Sequence, residues 1–175
     1  VPFAANGERA LALCLKRDVA AVRMKDGHEL WRYPWKTDWD VNAADPIVSG
    51  GKIYFSSGYN HGGVLLDLSG GKPKPVWDNK TMRNHFSSAV LLGGFLYGFD
   101  GDADKPDSTA LKCIEQASSA VKWEEGVPAG GLMAADGKLI VLSAKGELMV
   151  MEATPEKFKP ISRAQVLGGK CWSAP

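Results

Sequence analysis

The sequence predicts an all-β protein, a β-propeller of four-stranded antiparallel blades, with four blades present in its 175 residues. Two spacings and one recurring pattern predict it. Trp31, Trp77 and Trp123 stand at equal intervals of 46 residues. A glycine that opens a strand after a tight turn recurs at Gly7, Gly51, Gly94 and Gly137, in steps of 44, 43 and 43 residues. Between these landmarks each unit carries four short β-patterns and no convincing stretch with the helical period. Four strands in a unit of about 43 residues is the signature of a propeller blade. A blade cannot bury both faces of its sheet alone, so neighbouring blades must stack.

The units run approximately 1–44, 45–87, 88–130 and 131–174, and Pro175 begins the next. Each opens on a short apolar stretch, at Pro2, Pro46, Ala89 and Leu132, five residues before its turn glycine. In unit two, residues 45–48 read as the short first strand, 52–57 (KIYFSS) as the second, 64–68 (VLLDL) as the third and 75–78 (PVWD) as the fourth, which carries Trp77. Unit four repeats the form at 132–135, 138–143, 148–152 and 159–163. The runs are rich in β-branched and aromatic residues and are bounded by Gly, Asp and Pro, which end strands and start turns. Both chain ends fall at the same phase of the repeat, so the chain reads as an open arc cut from a longer propeller. The apolar residues expected on the uncovered faces of the end blades are Leu11, Leu13, Val19 and Val22 in unit one, and Leu139, Val141, Leu148 and Val150 in unit four.

Composition bounds the function. Apolar residues make up 45% and charged residues 23%, which fits a globular chain and not a disordered one. Twenty-one basic side chains balance 20 acidic ones, so no basic face for nucleic acid is expected. No apolar run approaches the roughly 20 residues of a membrane span. Cys14, Cys113 and Cys171 show neither CxxC spacing nor an adjacent pair and read as free thiols in strands.

Residues 21–31, Ala-Val-Arg-Met-Lys-Asp-Gly-His-Glu-Leu-Trp, resemble the repeat signature of pyrroloquinoline-quinone (PQQ) type propellers, which runs Ala-x-Asp-x-x-Thr-Gly-Lys-x-x-Trp. Ala21, Gly27 and Trp31 match, whereas Arg23 replaces the Asp and Asp26 the Thr. Unit two keeps Trp77, unit three keeps Trp123, and unit four has Ile161 or Ser162 near the place of the Trp. The resemblance implies a ring of seven or eight blades, the rest of which would be remaining blades of the same propeller. It also implies a periplasmic or extracellular location. Many members bind no cofactor, such as the outer-membrane-assembly lipoprotein propellers that act as scaffolds. The function implied first is therefore a non-enzymatic binding or scaffolding module. Its channel-mouth loops would take a protein or peptide partner or a small polar ligand. The alternative is part of a PQQ-dependent quinoprotein dehydrogenase oxidising alcohols or sugars. Those enzymes hold PQQ between a Trp and an adjacent Cys-Cys pair, with calcium held by acids and Asn. The chain has no adjacent Cys pair, and no cofactor is evident; PQQ with calcium belongs to the alternative alone.

Propeller ligands approach the channel through the loops that enter each innermost strand. Aligning those loops places Asp40, Asn42, Asp45, Arg83, Asn84 and His85 at one mouth, and unit four adds Lys170 and Trp172. This mixture of acid, base, amide and aromatic groups suits a small polar ligand or a peptide; the same groups would equally satisfy loop backbone atoms. No catalytic residue is assigned, because His85 has no identifiable partner. His28, His61 and His85 lack zinc spacing, and no metal site is assigned. Asp100, Asp102 and Asp104 alternate as in a calcium loop, but Lys105 and Leu111 stand where an EF-hand needs Gly and Glu, so the segment reads as an acidic, solvated hairpin extension. In the aromatic stretch 31–39, Trp31 is expected to dock on the next blade, Trp35 to pack beside it and Trp39 to cover the channel rim. Trp77 and Trp123 are expected to dock as Trp31 does.

Overall fold

Among the described residues, 1–5, 7–171 and 175 of the computed structural model, sixteen strands form four separate antiparallel sheets. Blade 1 comprises β1 (Pro2–Ala5), β2 (Glu8–Cys14), β3 (Asp18–Arg23) and β4 (Glu29–Pro34). Blade 2 comprises β5 (Ile47–Ser49), β6 (Lys52–Ser57), β7 (Gly62–Asp67) and β8 (Lys74–Asn79). Blade 3 comprises β9 (Val90–Leu92), β10 (Phe95–Asp100), β11 (Ala110–Glu115) and β12 (Val121–Gly126). Blade 4 comprises β13 (Gly131–Ala135), β14 (Lys138–Leu142), β15 (Glu147–Glu152) and β16 (Pro160–Gln165). Within each sheet the strands pair in chain order. The only helical segments described are single 3₁₀ turns at Asp38–Asp40 and Pro106–Ser108. Among the described residues, no helix is long and apolar enough to cross a membrane.

The tryptophan repeat marks a shared irregularity. In every blade the pairing of the third strand with the fourth slips by one residue at the same step. The pair just before the slip is Ala21–Trp31, Leu65–Trp77, Cys113–Trp123 and Val150–Ser162. A bulge adds twist where the outer strand bends along the neighbouring blade. Ser162 therefore occupies the place of the missing fourth tryptophan.

The core is divided into three layers, each between two successive blades. Ala12, Val19, Ala21 and Trp31 of blade 1 meet Ile53, Phe55, Val64 and Leu66 of blade 2. Tyr54 and Leu65, on the other face of blade 2, meet Leu96 and Ile114 of blade 3. Tyr97, Phe99, Leu111 and Cys113 meet Leu139, Val141, Met149 and Met151 of blade 4. Side chains alternate between sheet faces along a strand, so blades with a neighbour on each side read as continuously apolar and end blades do not. The central strands show this: β6 and β10 are buried at every position but the first, whereas β14 and β15 bury alternate residues over most of their length.

That alternation corrects one expectation. Val19, Leu139 and Val141 are fully buried against neighbouring blades and lie on no open face. Leu139 pairs with Met151 and Val141 with Met149, while Leu148 and Val150 pair with Leu142 and Ile140 and point the other way. The residues half-exposed on the outer faces are Leu11, Leu13 and Val22 at one end and Ile140, Leu148 and Val150 at the other.

Trp31 and Trp123 are buried and Trp77 is half-buried. Trp77 Nε1 donates to Gln116 O of blade 3 and Trp123 Nε1 to Thr154 O of blade 4, each at 2.8 Å. Each bond ties an outer strand to the third-to-fourth-strand hairpin of the next blade. Trp77→Phe keeps most of the ring and deletes this bond, leaving a carbonyl to find water. It is expected to lower stability by about 1 kcal/mol in urea melts. Trp31→Phe, which removes no such bond, should cost less by that amount.

Candidate binding face at the channel mouth

In each blade the hairpin between the second and third strands and the link to the next blade lie at the same end of the sheet. Asp40, Asn42, Asp45, Arg83, Asn84 and His85, which the sequence singles out, sit in those links. The side chains of Asp40, Asn42, Arg83, Asn84 and His85 are each engaged by their own neighbours.

Asp40 is bridged by Lys16 at 3.0 Å and Arg17 at 3.4 Å, both from the β2–β3 hairpin. The hydrogen bond and charge of Lys16 hold its carboxyl below the usual range. Asn42 Nδ2 donates to Leu15 O at 2.8 Å, and its Oδ1 accepts from Ser57 Oγ at 2.7 Å. Asn42 thus stitches blade 1 to blade 2. Asp45 is exposed, and its backbone N–H donates to Ser88 Oγ at 2.8 Å.

Arg83, Asn84 and His85 form the link between blades 2 and 3. Asn84 is buried, with Oδ1 accepting from Tyr54 Oη at 2.9 Å and Nδ2 donating to Phe99 O at 2.9 Å. Glycine at position 98 makes the room, since a Cβ there would stand 2.8 Å from Asn84 Nδ2. Arg83 makes a fork onto Asp100, Nε to Oδ1 at 2.8 Å and Nη2 to Oδ2 at 2.7 Å. Lys112 Nζ lies 2.9 Å from Asp100 Oδ2 and 3.2 Å from Glu124 Oε2, and donates to Thr81 O. Burial pushes the Asp100 carboxyl upward, but the hydrogen bonds from Arg83 and Lys112 outweigh it and hold the group below its usual value.

Asp100 overturns the reading of residues 100–104 as a solvated extension. Only 5% of its side chain is exposed, because two cations and a backbone N–H enclose it. Asp102, next in the loop, accepts from the Tyr59 backbone N–H of blade 2 at 2.6 Å. Sequence reasoning missed Asp100 and Lys112 as partners of Arg83. The available signal was an acid at position 100 where the repeat places Ser57 and Ser143, and a lysine inside the apolar run of β11.

His85 is 4% exposed. Its ring stacks on Phe86 with centroids 3.9 Å apart and meets the Tyr59 ring edge at 4.4 Å. It lies so close over Gly58 that a Cβ there would sit 2.7 Å from its Cγ. Nδ1 accepts from the Ala103 N–H at 3.1 Å, while buried Nε2 has no partner among the described residues. A proton on Nδ1 would break the Ala103 bond, so this packing selects the neutral ring. Burial lowers the pKa, opposed in part by Asp102 and Asp104. The contribution to stability is thus complete above the ordinary value of 6.5 and is lost as pH falls towards the lower folded value. Urea melts between pH 7 and pH 5 should show declining stability, and His85→Gln should flatten that slope.

Lys170 is exposed after β16, and Trp172 lies outside the described residues. A cleft of about 400 Å³ opens between the links that enter blades 3 and 4, lined by His85, Phe86, Val90, Gly130, Leu132 and Met133 among others.

The aromatic stretch divides. Trp35 packs on Phe55 with centroids 4.8 Å apart, and its Nε1 donates to Ser57 Oγ. Trp39 does not cover the rim; it is 81% exposed. Trp39 and Asp40 both adopt left-handed backbone, φ 66° and 55°, which turns the indole outward. Such backbone is costly without glycine. Buried Thr37, whose Oγ1 donates to Val41 O, and the Asp40 ion pairs hold it in place.

The group that the resemblance associates with the dehydrogenases does not fit these residues. Cys14, Cys113 and Cys171 are separate free thiols, and burial pushes the first two up to about 11, so they are not thiolates at neutral pH. The acid and amides at the mouth already hold Arg83, Lys112 and backbone groups. Among the described residues, no three His, Cys, Asp or Glu side chains are grouped to hold a metal.

Stacked four-stranded blades with a bulge-marked tryptophan repeat define a β-propeller of the PQQ-repeat class. The family model described as outer membrane protein assembly factor BamB matches residues 2–125, and the chain belongs to that family. No curated protein sequence matches it. Among solved structures it is similar to BamB from Moraxella catarrhalis, at 14% identity and TM-score 0.70, over 96% of this chain and 50% of that one. It is also similar to quinohemoprotein alcohol dehydrogenase ADHIIG from Pseudomonas putida HK5, at 13% identity and TM-score 0.73, over 98% of this chain and 34% of that one. The computationally designed Ika8 protein matches at 9% identity and TM-score 0.64, over 97% and 49%. The chain thus spans half or less of each of these relatives. At such identities the likeness establishes the fold alone.

Proposed function

We propose that the chain is a four-blade portion of a seven- or eight-bladed PQQ-type propeller. It acts as a non-enzymatic scaffold that holds a protein or peptide partner on its mouth face, in the periplasm or outside the cell. The remaining blades of the same propeller cover the outer faces of blades 1 and 4. The observation that carries the reading is the presentation of Trp39. A large apolar ring stands in solvent on a strained turn that ion pairs and a buried threonine keep in shape. Interfaces draw most of their energy from a few such aromatic anchors. Phe86 and Met133, also exposed, extend the apolar surface along the cleft between blades 3 and 4. The polar residues of the mouth support this face: Asn42, Asp40 and the Arg83–Asp100 pair lock the links that display it. Family membership in an assembly-factor family points the same way.

A photo-crosslinking amino acid placed at position 39 or 86 of the protein in its native cells tests the reading. The expected result is one defined partner band that is absent when the same group is placed at exposed position 76 on an outer strand. Trp39→Ala should weaken binding of that partner by roughly tenfold or more, with stability changed by less than about 0.5 kcal/mol. Quinone absorbance and dye-linked alcohol oxidation after adding PQQ and calcium would overturn the non-enzymatic reading.

A further inference from the structure

The three blade interfaces differ at one hydrogen bond. Trp77 and Trp123 each donate to a carbonyl of the next blade, but among the described residues no acceptor meets Trp31 Nε1. The cause is the shape of one hairpin. Leu68 and Gln116 hold equivalent places, since their N–H groups donate to Gly51 O and Gly94 O. In blade 3 the hairpin closes by Ser119 N–H donating to Glu115 O, which leaves the Gln116 carbonyl for Trp77. In blade 2 Gly71 N–H donates to Leu68 O at 3.1 Å, so the carbonyl equivalent to the Trp77 acceptor is turned into its own hairpin; in blade 4 Ala153 holds that place and Trp123 uses the next carbonyl, Thr154 O.

A cleft of about 260 Å³ lies where that contact is missing, at the end of the sheets opposite the mouth. Its walls are Phe3, Leu30, Trp31, Val48 and Leu68, and exposed Glu8 also lines it. Trp31 is 9% exposed, and among the described residues its indole N–H has no protein acceptor beside this apolar space. Space of this size holds a fragment rather than a drug-sized molecule. Arg23 Nε lies 3.3 Å from the Glu8 carboxylate and pairs its charge, and the donor calls for a neutral acceptor.

We propose that the cleft between blades 1 and 2 binds a small neutral molecule with an apolar body and a carbonyl oxygen. The oxygen accepts from Trp31 Nε1 as the Gln116 and Thr154 carbonyls accept in the next two interfaces. The site is independent of the mouth face and of whatever partner that face holds.

The test is ¹H–¹⁵N NMR of the indole groups of the full chain, six in all, with Trp31 assigned through Trp31→Phe. Without additive, the Trp31 indole proton should exchange with water faster than those of Trp77 and Trp123. N-acetyl-leucinamide should then give a saturable downfield shift of the Trp31 proton at millimolar concentration, absent from Trp77 and Trp123. N-acetyl-glycinamide, which lacks the apolar body, should bind roughly tenfold more weakly or worse. Val48→Phe, which fills the cleft, should abolish the shift; Ala4→Phe, from the opposite wall, does the same if the first variant folds poorly. A Trp31 proton as protected as its two counterparts overturns the proposal. So does fast exchange without saturation by the leucine amide, which would mean that the cleft holds water only.

Discussion

Replacing Asp100 by alanine is expected to lower the stability of the protein by about 3–5 kcal/mol, because it removes the buried carboxylate that Arg83, Lys112 and the Arg83 backbone N–H share. Asp100 is the shared partner of Arg83 and Lys112, and its Oδ1 also accepts from the Arg83 backbone N–H. Pairs on an open surface contribute little, but here the carboxylate is 5% and Lys112 11% exposed, so water cannot take its place cheaply. Urea melts at neutral pH check the magnitude; a loss under about 1 kcal/mol would mean that the cations relax into solvent. The pH dependence has a definite sign. The folded carboxyl lies below its ordinary value of 3.8, so its contribution is complete above that value and is lost as pH falls through the lower folded one. Asp100→Asn keeps the size and removes this acid limb. Because the cluster joins the exit of blade 2 to blade 3, its loss should also loosen the link that carries His85.

Gly130→Ala is expected to exceed about 4 kcal/mol, beyond the usual range for a point substitution. A Cβ at this position would stand 1.9 Å from the Leu142 carbonyl oxygen, which is backbone and cannot swing away. Relief requires opening β13 from β14 at the Gly131–Leu142 pair, and the cleft between blades 3 and 4 is built on that edge. Gly126→Ala, whose Cβ would meet nothing within 4 Å, is the control and should change stability by less than about 0.5 kcal/mol. Similar melts for the two variants would show that β13 shifts without cost.

The repeat was legible because it is written in residues whose roles are local. Turn glycines at positive φ, such as Gly51, Gly94 and Gly137, are required by backbone sterics alone. The spacing of Trp31, Trp77 and Trp123 reflects one bulge recurring at one pair of each sheet. Counting left Ile161 or Ser162 for the fourth position, and the register of β15 against β16 selects Ser162. The open faces were harder. Naming Leu139 and Val141 together with Leu148 and Val150 mixed two sides of a sheet, since the register of β14 against β15 decides which residues share a face.

The links between blades were legible in the sequence, whereas the partners of their side chains were not. Equal offsets in the repeat put Asp40, Asn42, Arg83, Asn84 and His85 in equivalent links, because connections of the same kind must emerge at the same end of each blade. Whether such a side chain meets solvent depends on what the neighbouring blade brings to it. Asp100 and Lys112 arrive from strands 17 and 29 residues beyond Arg83, and no local pattern pairs them. Trp39 faces outward only because two left-handed residues turn it there. The order and number of strands, the blade repeat and the family were thus carried by the chain itself, through turn sterics and side-chain alternation. The ion cluster, the outward tryptophan and the unpartnered Trp31 indole arose from packing between blades, where groups far apart in sequence compete for the same donor, acceptor or space.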